Sequence, residues 1–331
     1  MARRKARIPQ GKKIQPAVKT MAFNLPIFAS STVDLSQCAS ILNRRFYRQG
    51  LNWAVAGFTF FTTGNGSIDI AKIPDTWVAS NAWMKGFAAW NELNDRALAE
   101  VESIKPKFTD FKVFMDETHH ANGVADNVLP TDNAGNIAIP GEWDMSSMVI
   151  PNQAAPGGSL DFEFVWTGAN YPGAGASTKN AVSLIEGYAA SRALPDIRDP
   201  NAPADAADTT GTTPENWISA IDNESSSQVD RVITDLLDEN NIAPYPFEND
   251  GTAIDTQYPG GSNQLPGLEV HDTLLVTSTT VGGKTTSHGG NFQGGLIRIN
   301  TNIDAGTSVG MLVHLVAGPH RGYMCQKMQD V

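Results

Sequence analysis

Leu51–Thr63 reads LNWAVAGFTFFTT, and Gly64-Asn65-Gly66 then turns the chain into Ser67–Ile73. Aromatic and β-branched residues crowd the first stretch, and a glycine-flanked asparagine is a hairpin signal between two such runs. This segment predicts a pair of buried antiparallel strands, and the fold follows from finding its companions.

Upstream, Thr20–Val33 alternates loosely. Downstream, Phe108–Met115, Gly141–Ile150 and Leu160–Trp166 read as further strands. In the last of these Leu160, Phe162, Phe164 and Trp166 would face a core, with Asp161 and Glu163 facing water. Toward the end, Leu268–Thr280, Gly294–Asn302 and Ser308–Val316 resume the pattern, with Gly282-Gly283 and Gly289-Gly290 assigned to intervening loops. Val309, Met311, Val313 and Leu315 alternate with Leu312, His314 and Val316, so both faces are apolar and the strand should be central or at a subunit contact. Between Val78 and Ile104 the period changes: Trp83, Phe87, Trp90, Leu93, Ala97 and Val101 recur every three or four residues, a helix with one aromatic face that Pro106 ends. Ala181–Leu194, a stretch starting at Pro214 and Ser227–Asn240 also carry helical spacing.

About eight strands in two groups, interrupted by helical insertions, describe a mainly β fold. The expectation is a single eight-stranded antiparallel jelly roll, a β-sandwich, formed by residues 20–169 and 268–331. Residues 170–267 form an acidic, partly helical insertion, a candidate surface projection.

Charge divides the chain differently. Residues 1–19 carry Arg3, Arg4, Lys5, Arg7, Lys12, Lys13 and Lys19 and no acid. Seven of the 24 Lys and Arg residues therefore lie there, which leaves 17 against all 35 Asp and Glu, a net −18 for the rest. From Leu184 to Asp272, 17 acids face three arginines, a net −14. A terminal block of like charge without apolar periodicity reads as an arm disordered until bound, and a polyanion is its natural partner. A solubilising tail or nuclear-localisation signal is the plainer reading of the same residues. Asn43-Arg44-Arg45-Phe46-Tyr47-Arg48 joins three arginines to two aromatic rings, the composition of a groove for single-stranded nucleic acid. It equally suits arginine stems packed on their own sheet or in salt bridges between subunits.

The remaining chemistry is sparse. Asp116-Glu117-Thr118-His119-His120 offers metal-ligand types, with Asp126, Asp132 and Asp144 further along. Following a predicted strand, the group reads as a solvated loop, with a divalent-ion site between subunits as the alternative. Ser278–Thr285 (STTVGGKT) ends like a phosphate-binding loop but lacks its first glycine and a following helix, so it reads as a hairpin loop. No nucleophile elbow or zinc pair occurs. Cys38 and Cys325 read as reduced and semi-buried. No run of 18 apolar residues is present to span a bilayer, and the basic N-terminus lacks the apolar stretch of a signal peptide. These features point to no enzyme, no cofactor and no metal.

The opening MARRKARIPQGKKIQP, Leu42–Trp53 (LNRRFYRQGLNW) and Ala181–Leu194 (AVSLIEGYAASRAL) resemble capsid proteins of small circular single-stranded DNA viruses that encode a replication initiator, over most of the chain. The resemblance implies a jelly-roll coat protein that self-assembles into an icosahedral shell and packages single-stranded DNA. The basic arm would face the interior, which carries over to Arg3, Arg4, Lys5, Arg7, Lys12 and Lys13. Its partners would be copies of itself, the genome and, through 184–272, a host receptor, with no membrane. Its locations would be the virion and, during assembly, the host cell including the nucleus. A jelly-roll module that binds carbohydrate or protein is the competing expectation.

Overall fold

The computed structural model describes residues 15–97, 110–151, 158–170, 176, 179–192, 266–304 and 309–331. The chain divides into two compact units, one formed by Met1–Glu186 with Pro266–Val331 and the other by Gly187–Leu265. The helices expected after Pro214 and over Ser227–Asn240 lie outside the described residues, as does nearly all of the second unit.

The first unit is mainly β. Strands β1 (Thr20–Leu25), β2 (Ala29–Asp34), β3 (Leu51–Phe61) and β4 (Gly66–Lys72) come first. Strands β5 (Ser147–Pro151), β6 (Ser159–Val165) and β7 (Asn180–Ser183) follow, then β8 (Glu269–Val276), β9 (Lys284–Gln293), β10 (Leu296–Ile303) and β11 (Val309–Leu315). Short β12 (Ala317–Gly318), β13 (Gly322–Tyr323) and β14 (Cys325–Lys327) end the chain. Among the described residues there are four helices: α1 (Leu35–Asn43), α2 (Trp77–Ala97), α3 (Glu117–Asn122) and α4 (Leu184–Arg192).

One antiparallel sheet runs β1-β11-β3, with β9 along the other edge of β3 and β14 pairing with Leu51–Trp53. A second antiparallel sheet runs β2-β10-β4-β8. Both contribute to one hydrophobic cluster: Met21, Phe23, Trp53, Phe58, Phe60 and Met311 from the first, Val33, Ile68, Ile70, Ile297 and Ile299 from the second. This arrangement is compatible with a β-sandwich. A third, mixed sheet holds β5-β6-β7, with β6 and β7 parallel.

The decisive stretch forms two strands as read, but not a hairpin: β3 pairs with β11 and β9 in the first sheet and β4 with β10 and β8 in the second, so Gly64-Asn65-Gly66 carries the chain from one sheet to the other. Trp53 and Val55 point inward, then Phe58 and Phe60, so the inward parity changes between them. The register against β11 slips there: His314 opposes Gly57 and Leu315 opposes Val55, leaving Ala56 as an extra residue. Such a bulge is what moves the following side chains to the other face. A Cβ on Gly289, across the ladder on β9, would lie 2.2 Å from the Val55 carbonyl oxygen. Backbone comes too close there for any side chain.

That close approach explains the main correction. Gly289-Gly290 reads as a loop in the sequence, but both glycines lie within the ten-residue strand β9, which pairs with β3. Thr20–Val33 is two strands rather than one, broken at Pro26–Phe28, where Phe28 takes a positive φ of 51°. Phe108–Met115 supplies no strand among its described residues, only a bridge between Phe114 and Val165. Gly141–Ile150 contributes only Ser147 onward, and Ala181–Ser183 is extended before α4 begins. The eight long strands of the two main sheets, with short β14 as a ninth, are thus not the set expected, because three expected stretches belong to the third sheet or its border. The expected strand at β11 is central, with Val309, Met311, Val313 and Leu315 all buried.

Helix α2 buries its aromatic stripe. Trp83 stacks on Phe87 at 5.2 Å, and both pack on Phe111, as does Trp90 at 5.4 Å. Leu93, expected on the same face, is exposed. No described helix is long and apolar enough to cross a membrane.

Candidate nucleic-acid interface

The basic cluster sits where α1 stops. Asp34 starts that helix: its carboxylate accepts from the N–H groups of Ser36 (2.9 Å) and Gln37 (3.2 Å), the usual way a helix N-terminus is satisfied. Gln49 and Trp143 also donate to it, each at 3.1 Å. Complete burial outweighs these donors and pushes its pKa up to about 6. The helix ends at Arg44, which adopts the left-handed conformation (φ 50°, ψ 40°) that glycine normally supplies. Holding a non-glycine residue there costs about 1 kcal/mol. Arg45, Phe46 and Arg48 follow, all exposed, while Tyr47 turns inward.

The other half of the site comes from the far end of the chain. Arg321 also has a positive φ (51°), followed by Gly322 at 104°. Of the three non-glycine residues with positive φ among those described, two are therefore arginines of this one patch. The turn is held by Arg321, whose guanidinium donates to the Phe46 carbonyl at 2.5 Å, and by Tyr47, whose hydroxyl donates to the Arg321 carbonyl at 3.0 Å. Lys327 lies on the same side, lining a shared cavity with Arg48 and Arg321.

Between these halves runs the root of the N-terminal arm. The Val18 N–H donates to Asn43 Oδ1 at 3.0 Å, and the Val18 carbonyl accepts from the Tyr323 hydroxyl at 2.6 Å. Asn43 Nδ2 in turn donates to that hydroxyl at 2.8 Å, and burial pushes the Tyr323 phenol up to about 12. Lys19 donates to the Gly322 carbonyl and lies 5.0 Å from the centre of the Tyr323 ring. Arg45 donates to the Gln15 side chain. A Cβ on Gly322 would lie 2.6 Å from Ala17, so only glycine lets the arm pass so closely.

No protein-family model, curated protein or solved structure matches this chain.

The structure brings Lys19, Arg44, Arg45 and Arg48 near one another, and adds Arg321 and Lys327. Arg3, Arg4, Lys5, Arg7, Lys12 and Lys13 lie outside the described residues. Lys19 needs a correction: it is not part of a free arm but half-buried and bonded to the body. Arg321 and Lys327 give no sequence signal, being single cations more than 270 residues from Arg48. Acids border the patch without dominating it: Glu142 near Arg44 and Arg45, and Asp110 with Lys112 at 3.0 Å. Burial holds the Asp110 carboxyl above its ordinary value. Burial, with Arg321 and Lys327 nearby, holds His320 below its ordinary value. The arrangement offers exposed guanidinium and ammonium groups beside the half-exposed Phe46 ring, which suits a phosphate backbone with unstacked bases.

The acidic and histidine-bearing segment proves different from its expected solvated loop. Asp116 caps α3 by accepting from the His119 N–H at 2.9 Å, and receives an ion pair from the buried Arg298. His119 and His120 are both fully buried. His119 Nδ1 accepts from the Met115 N–H at 3.0 Å, and burial beside Arg298 lowers its pKa to about 3. His120 Nε2 lies 3.1 Å from Glu163 Oε2, so Glu163, expected to face water, is interior as well. Among the described residues no three His, Cys, Asp or Glu side chains could together hold a metal ion. Ser278–Thr285 forms a turn leading into β9. Cys38 is free and fully buried, while Cys325 is free and half-buried.

Proposed function

We propose that this protein is a viral coat protein: a single jelly-roll shell subunit that self-assembles into a closed icosahedral particle and holds single-stranded DNA through its basic arm. The observation that carries the reading is the position of the arm's root. The acid-free segment with six further cations, Arg3 to Lys13, joins the body through Gln15–Lys19, where Arg44, Arg45, Arg48, Arg321 and Lys327 gather, although the rest of the chain is strongly acidic. Concentrating positive charge at one place on an acidic body favours one polyanionic partner there.

Strand order supports the jelly-roll part. Taken in chain order, the eight long strands of the two main sheets pair first with last (β1–β11), second with seventh (β2–β10), third with sixth (β3–β9) and fourth with fifth (β4–β8). Rolling one long antiparallel ribbon into two sheets produces that pairing. The acidic 184–272 stretch suits the outer face of a particle, where water and salt screen like charges over about 8–10 Å, and is the place for receptor contact.

Removal of residues 2–14, which spares the anchored root, tests the assignment. The full chain should form uniform closed shells by negative-stain microscopy and carry nucleic acid. The truncated chain should keep its melting temperature and lose the nucleic acid. Monomers at all concentrations, or particles with unchanged nucleic-acid content after truncation, would rule the reading out.

A further inference from the structure

Next to Arg321 the surface opens into a cavity of about 400 Å³. Its volume falls in the range, about 300–1,000 Å³, of pockets that hold small ligands. Trp83, Phe87 and Phe111 form its inner wall and Phe46, 48 % exposed, its lip. Arg48, Arg321 and Lys327 stand around it.

Two details show that the wall has something to give a ligand. Trp83 is only 3 % exposed, yet its indole N–H has no hydrogen-bond partner among the described residues. Tryptophan N–H groups that are buried normally find an acceptor, because an unmet donor costs about 1–3 kcal/mol. The indole lies against Gly50, where a Cβ would come within 2.7 Å of the ring, so the backbone stays bare on this side of the cavity. On the acceptor side, the Asp110 carboxylate also lines the cavity.

We propose that this cavity takes one unstacked nucleotide of the bound strand, with its base among Phe46, Trp83 and Phe87 and its phosphate on Arg321 and Lys327. This rests on the reading of the surrounding patch as a nucleic-acid interface, and it names the ligand unit. A nucleobase matches what the wall offers: a flat π-face for the rings, ring or carbonyl acceptors for the indole N–H, and N–H donors for Asp110. An aliphatic or lipid ligand would leave the indole donor unmet. A bare phosphate would leave the aromatic wall unused. Every base has a π-face and an acceptor, so the pocket should be tolerant of sequence.

The test uses the full chain and isothermal titration with deoxynucleoside 5′-monophosphates, the parent nucleosides and inorganic phosphate, alongside a labelled single-stranded oligonucleotide. Monophosphates should bind one per chain, about tenfold or more tighter than inorganic phosphate, the gain expected from stacking one base. Trp83→Phe keeps a ring but removes the N–H, and should weaken nucleoside and monophosphate binding alike. Lys327→Gln, at an exposed position, should weaken only the monophosphates. If the oligonucleotide binds with strong salt dependence but monophosphates bind no better than phosphate, or neither substitution alters their binding, the pocket assignment is wrong and the interface stands. If the oligonucleotide does not bind at all, both fall.

Discussion

Two short segments carry most of the chain's suggestive chemistry, and they meet opposite fates. Asp116–His120 is folded into the interior, where Arg298, Met115 and Glu163 engage it. Arg44–Arg48 is left outside, on a backbone that keeps Arg44 in a left-handed turn. Side-chain type alone does not separate them. Interior charge is matched partner by partner, as burial demands. Exterior charge of one sign gathers instead, at the cost of a strained turn, and strain kept at a surface points to function.

The largest effect should come from breaking the interior set. Arg298→Ala leaves Asp116 partly buried without its cation, and removing one member of a buried pair costs about 3–5 kcal/mol. Urea unfolding should show that loss, while oligonucleotide affinity of the folded fraction stays unchanged. An Arg298→Ala protein as stable as the parent would mean that the interior cluster is not structural, and the contrast would collapse.

Acid should expose the same difference less severely. His119 has a folded pKa of about 3 against an ordinary 6.5, so the unfolded chain binds the proton first. Its contribution is complete above pH 6.5 and is lost as pH falls toward 3, at up to about 1.4 kcal/mol per pH unit. Asp34 acts in the opposite sense: with a folded pKa of about 6 against 3.8, its contribution is present at low pH and lost as pH rises through that window. The histidine shift is the larger, so net stability should fall on acidification. His119→Gln leaves the opposing Asp34 contribution alone, so the profile measured by thermal melting between pH 7 and 4 should turn from a fall into a rise toward acid. An unchanged profile would place the acid sensitivity elsewhere.

The exterior set should answer the other way. Replacing Arg45 and Arg48 together by Gln should change stability by no more than about 0.5 kcal/mol. The same change should reduce the log–log salt slope of oligonucleotide binding by about 0.7 for each phosphate no longer engaged. A fall in melting temperature with an unchanged slope would make these arginines structural and erase the distinction.

Much of this is legible in the residues, and the failures have physical causes. Strand β3, strand β11 and the aromatic face of α2 follow directly from periodicity, because each buries one continuous face. Strand β9 is hidden by Gly289 and Gly290, whose missing side chains serve close backbone approach rather than a loop. Helix α1 escapes the pattern although Asp34 marks its start and Leu35, Cys38, Ala39 and Leu42 share its face, since nine residues make a weak periodic signal. Half of the basic patch can be read near Arg44. The other half cannot, because only the pairing of distant strands brings Arg321 and Lys327 to it.

That pairing has a consequence for how the protein is made. Thr20 finds its ladder partner in His314, 294 residues later, and Val18 is clamped by Tyr323. Contacts of such high sequence separation form slowly, and synthesis must pass Tyr323 before they can form at all. The basic segment is therefore synthesised long before the socket that holds its root. A nascent chain thus carries the charge before the grip on its root is complete.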